Sequence, residues 1–121
     1  MIKRLFQRVS INDGTCTLSS NGIYSGIIRN ISLGGLFIES DLQLNVMDRV
    51  AINFKLTYNP KTIKINTDLK TINIDSDTKT ININTNVIAV RIDNDGMALQ
   101  FDKLNPKDFW DLQSFIQYAN A

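Results

Sequence analysis

Two short clusters in the sequence are equipped for recognition chemistry. The first is Arg4-Leu5-Phe6-Gln7-Arg8 with Lys3 beside it, three cations within six residues. A guanidinium presents a planar fork that holds a phosphate through two hydrogen bonds and stacks on flat rings. Two arginines four apart suit an anionic ligand that also carries aromatic faces. Read by itself, the segment also fits an ordinary solvated basic tail. The second cluster is Asn30-Ile31-Ser32-Leu33-Gly34-Gly35. In an extended segment Asn30 and Ser32 leave the same face. An amide and a hydroxyl together offer donors and acceptors that match a nucleobase edge. Gly34 and Gly35 permit close approach to the main chain. The competing reading is a strand-to-strand turn in which Asn30 and Ser32 bond their own backbone.

Composition narrows the chemistry further. The 121 residues are one domain's worth of chain, and 43% are hydrophobic, enough for a single core. Thirteen basic and twelve acidic residues leave a net charge of +1, so an anion must be met by a local cluster rather than a basic coat. There is no histidine, which removes the commonest general base and metal ligand. The single Cys16 reads as a small hydrophobe in a strand, with no zinc spacing around it. Asp93-Asn94-Asp95-Gly96 superficially resembles a calcium loop but lacks its downstream glutamate. No metal or cofactor is expected, and no enzyme. Neither a long apolar span nor a signal-like opening stands in the sequence, so membrane insertion is not expected and a cytoplasmic protein is.

The elements that must position these clusters read mostly as β. Runs at Thr15–Leu18 and Ile23–Ile28 flank Ser19-Ser20-Asn21-Gly22, and Asn-Gly is a strong hairpin signal. Leu36–Ile38 follows the glycine pair. Val50, Ile52, Phe54 and Leu56 alternate along another strand. Val87–Ile92 and Met97–Phe101 flank a turn at Asp93–Gly96. A unit of the type Lys-Thr-Ile-x-Ile-x-Thr/Ser then stands out, at 61–67, 70–76 and 79–85. An odd step reverses the apolar face of a continuous strand, so turns of a meander are expected between units. At the far end Asn105 caps a helix over 105–120, with Pro106 in its first turn and Asp108 complementing the dipole. Phe109, Leu112, Ile116 and Ala119 lie at helical spacing, and Trp110 and Phe115 widen the stripe into a lid.

The pattern Arg4-x-x-x-Arg8 followed by Asn30-x-Ser32-x-x-Gly35 resembles the PilZ domain family, whose signature is RxxxR and then [D/N]xSxxG. The stretch Gly26–Ile38 is similar to that family's most recognisable segment, and Val87–Val90, Gly96–Phe101 and the helix resemble its closing elements. The resemblance implies a mainly β fold: a six-stranded antiparallel barrel with a C-terminal α-helix, here with an extra repeat-derived β segment. It implies a single domain over 1–121, with a flexible ligand-binding arm at 1–10 and inserted β repeats at 61–78. It also implies a receptor and adaptor for cyclic di-GMP. Arg4 and Arg8 would contact phosphate and guanine, Asn30 and Ser32 would bond guanine, and Gly35 would keep the backbone clear. Lys3 and Gly34 flank these positions as further candidates. The arm would fold over the ligand and alter the surface seen by a downstream protein. The inserted repeats would lengthen a hairpin, meet that partner or join copies into a homo-oligomer. The alternative is a ligand-independent protein–protein interaction module of the same fold. A single-stranded nucleic-acid binder fits less well, because the net charge is near zero and most aromatics sit at core-like positions.

Overall fold

A computed structural model describes residues 8–59, 63–66, 71–74 and 78–119. The strands are β1 (Val9–Ser19), β2 (Ile23–Ile31), β3 (Gly35–Ser40), β4 (Arg49–Tyr58), β5 (Ile63–Asn66), β6 (Thr71–Ile74), β7 (Lys79–Asp93) and β8 (Gly96–Phe101), and the helix is α1 (Pro106–Ala119). Six of the strands close an antiparallel barrel in the order β1-β2-β3-β8-β7-β4, sealed by β4 pairing back onto β1. Closure leaves the barrel no free edge.

The alternation in β4 sends Val50, Ile52, Phe54 and Leu56 into the barrel. There they meet Leu18, Ile28, Ile38, Ile83 and Val87, all but inaccessible to solvent. Asn21, at φ 52°, and Gly22, at φ 156°, make the tight return from β1 to β2. Asn94 and Asp95 form the two-residue turn that joins the pair Asp93↔Gly96. Ladder registers slip between Ser10 and Gly14, between Ile28 and Asn30, and between Ala89 and Arg91. Such bulges bend a strand and re-aim its side chains.

Several expectations need correcting. β1 begins at Val9 rather than Thr15, and β2 runs past Ile28 to Ile31, carried by the bulge at Arg29. The third repeat unit, which the 61–78 bounds leave outside the insertion, is continuous with Val87 in β7: Ile81, Ile83, Val87 and Ala89 share one parity and all face the core. Pairing with β4 runs unbroken from Tyr58↔Lys79 to Arg49↔Ile88. The first two units supply β5 and β6, which pair with each other (Ile63↔Ile74, Ile65↔Ile72) as a separate two-stranded sheet.

The helix starts as its sequence predicts. Asn105 Oδ1 accepts the Asp108 N–H at 2.8 Å, and Asn105 Nδ2 donates to the buried Asp108 carboxylate at 3.0 Å. Leu112 and Ile116 reach the core, and Phe115 meets Tyr58 edge-on at 5.4 Å. Trp110 does not join this face. It is rotated about 100° from Phe109 and is 64% exposed. Ala119 is exposed as well. Asn105→Ala should cost about 1–2 kcal/mol, because it removes both cap bonds and strips a buried carboxylate of a donor. A melting curve should show a fall of roughly 4–8 °C, and an unchanged midpoint would remove the cap from this account.

Candidate functional site

Pairing between β1 and β2 sets the geometry of the candidate site. Val9 lies opposite Ile31 and Ser10 opposite Asn30. Arg8, exposed, is therefore one step outside the first pair, level with Ser32. The chain enters the barrel beside the Asn30–Gly35 segment, on the adjacent strand and at the same end. Lys3 and Arg4 lie outside the described residues.

Asn30 and Ser32 flank Ile31, which is wholly buried, and the bulge at Arg29 sets their outward parity. Arg29 itself is taken by Glu39 in an ion pair and hydrogen bond that raise its pKa. The two polar residues then behave differently. Ser32 is buried and closes its own turn: its N–H donates to the Gly35 carbonyl at 2.8 Å, and its Oγ accepts the Gly34 N–H at 3.1 Å. Here the backbone-bonding alternative holds. Asn30 is only half-buried, yet its Oδ1 is shielded from solvent and has no hydrogen-bond partner. A shielded acceptor without a donor costs roughly 1–3 kcal/mol, so this atom is primed to receive an N–H.

Gly35 pairs with Gln100 of β8. A Cβ built on it would lie 2.0 Å from the Leu99 carbonyl oxygen. The position needs glycine because β8 passes there, a cause invisible in the local sequence. The Gly34 carbonyl accepts the Phe101 N–H at 2.9 Å, which staples the loop to the end of β8.

The other chemistry-bearing residues offer less. Burial pushes the Cys16 thiol up to about 11, so at neutral pH it is a thiol inside the wall. Among the described residues, no three of His, Cys, Asp and Glu lie close enough to hold a metal ion. None of the described helices is long and apolar enough to cross a membrane. A groove of about 1230 Å³ opens at the opposite end of the barrel, between the end of β3 and the β7–β8 turn. Glu39, Asp41, Asp93 and Asp95 line it, and none of the motif residues does. Four carboxylates make it a poor seat for an anion.

The family model for the PilZ domain matches residues 2–118. Among solved structures the fold is similar to the Bacillus subtilis inhibitor of motility (MotI/DgrA), with 16% identity and a TM-score of 0.64, over 95% of this chain and 49% of that one. This chain thus spans about half the length of that protein. It is also similar to the PilZ domain with c-di-GMP of YcgR from Escherichia coli, with 15% identity and a TM-score of 0.56, over 98% of this chain and 92% of that one. At such identities the likeness is one of fold. No curated protein matches the sequence.

Proposed function

The chain belongs to the PilZ domain family, and from that footing we propose that it is a cytoplasmic receptor and adaptor for cyclic di-GMP, not an enzyme. The observation that carries the reading is the Val9↔Ile31 pairing, which delivers Arg8 to the end of the barrel where Asn30 and Ser32 stand. Cyclic di-GMP joins two anionic phosphodiesters to two guanines. Arg8, with Arg4 and Lys3 on the preceding arm, supplies the cations for phosphate and a flat guanidinium for a base. Asn30 Oδ1, shielded and without a donor, takes an N–H from a guanine edge. Ser32, Gly34 and Gly35 hold the tight loop on which that base rests. The arm closes over the ligand, and the difference in affinity between its open and closed states supplies the switching energy.

Calorimetric titration with cyclic di-GMP tests this. Charge-assisted hydrogen bonds are worth roughly 1.5–3 kcal/mol each, so Arg8→Ala should weaken binding about 10- to 100-fold. Ligand at about 100 times its Kd should add about 2.7 kcal/mol to the fold. That raises the melting point by roughly 10 °C. Absence of binding by the unaltered protein, or a titration in which the variant matches it, would refute the assignment.

A second reading draws on β5 and β6, which form a sheet of their own outside the barrel order. There the domain is a ligand-independent interaction module, and its partner complex survives alanine at both arginines.

A further inference from the structure

The strand registers draw one continuous row across the outside of the barrel. Ser10 pairs with Asn30, Asn30 with Phe37, Phe37 with Ala98, and Ala98 with Arg91. The row starts in the proposed site and runs across β2, β3 and β8 to β7. At about 4.8 Å between neighbouring strands, Phe37 is one spacing from Asn30 and Arg91 is three, about 14 Å. Bulges at Arg29 and beside Arg91 fall on this same level.

The far end of the row is built rather than loose. The Arg91 guanidinium carbon stands 5.9 Å from the centroid of the Phe37 ring. Arg91 Nε donates to both Asp93 carboxylate oxygens, at 3.2 and 3.0 Å. Those contacts orient the group from one edge. The two terminal NH₂ groups have no hydrogen-bond partner among the described residues, and the side chain remains 56% exposed. Gly96 permits the arrangement, since a Cβ there would lie 2.6 Å from Phe37 Cε1. Beneath the pair Ala98 is buried although it faces away from the core.

An arginine held by its Nε, backed by an aromatic ring and with its fork directed outward, matches the O6 and N7 acceptors of guanine. Adenine presents an amino donor in place of O6, so the same fork rejects it. We propose that Phe37 and Arg91 receive the second guanine of the cyclic dinucleotide, with Arg91 reading its O6/N7 edge. The inference rests on the proposed function and extends it from one base to both. Arg8 meets the phosphates shared by all cyclic dinucleotides, whereas Arg91 sets the base preference.

The test is a titration of the full chain with cyclic di-GMP and with cyclic di-AMP. Arg91→Ala should weaken cyclic di-GMP binding about tenfold and cut the preference over cyclic di-AMP by a similar factor. Arg91→Lys, which keeps the charge without the fork, should lose most of that preference too. Arg8→Ala should weaken both ligands alike. Melting curves of the Arg91 variants should match the parent, since the side chain is exposed. If the parent binds and both Arg91 variants keep its affinity and preference, this inference falls while the receptor reading stands. Weaker binding with an unchanged preference assigns Arg91 to phosphate and also overturns it. A parent protein that binds neither ligand takes down both.

Discussion

Gly35→Ala should lower the stability of the fold by about 3 kcal/mol, at the upper end of the usual cost of overpacking. The melting point should fall by roughly 12 °C. The added methyl would lie 2.0 Å from the Leu99 carbonyl oxygen and 3.0 Å from the Gln100 Cα. Those are backbone atoms of the neighbouring strand, so no rotamer change relieves the clash. β3 and β8 must separate at the loop that carries the candidate site, and the bonds from Ser32 and Phe101 loosen with them. The measurement is a thermal melt beside a cyclic di-GMP titration at low temperature. A variant that melts like the parent yet no longer binds would show that Gly35 serves ligand clearance, as the family resemblance implies, rather than barrel closure.

Phe54→Ala should cost about 3–5 kcal/mol. Among the described residues Phe54 is the largest side chain with almost no exposure, and it lies on β4 between Cys16 of β1 and Ile83 of β7. Its ring stacks on Phe101 at 6.3 Å, so truncation opens a void at the centre of the barrel. A urea midpoint and a melt should both fall, the latter by roughly 12–20 °C. Domains of this kind hold only about 5–15 kcal/mol in all, so the variant should still fold in the cold, and cyclic di-GMP should still raise its melting point. A drop under about 1 kcal/mol would mean that the barrel repacks around the gap. Loss of the ligand response in a folded variant would couple core to site.

How much of this was legible in the sequence varied from segment to segment. Within one strand or one turn, spacing was sufficient. Alternation over Val50–Leu56, the Asn21-Gly22 return, the Asp93–Gly96 turn and the Asn105 cap all depend on neighbours a few residues away, and each stands as read. The barrel and its closing helix followed from the family pattern. Strand ends are less legible, because a distant partner decides them: β1 begins at Val9 and β2 runs on to Ile31 since each supplies the other's ladder there, Val9↔Ile31 and Ser10↔Asn30. Hydrophobicity alone assigns Trp110 to the packed face, but its angular position on the helix turns it to water. The candidate site divides the same way. Ser32 bonds its own loop while Asn30 keeps an acceptor unmet, although the two residues looked equivalent in the chain.

Residue types and short-range spacing were enough to single out candidate groups for a ligand: a pair of guanidiniums, an amide, a hydroxyl and a glycine-bearing loop. They were also enough for the strand period and the helix start, since these arise from contacts within a few residues. Folding settled what those groups face. Closing the barrel brought Arg8 level with Ser32, placed Leu99 against Gly35, and lined Phe37 and Arg91 up with Asn30. Each of these relations joins residues far apart along the chain, and their register is set by the closed cylinder as a whole, a constraint that no single stretch of sequence contains.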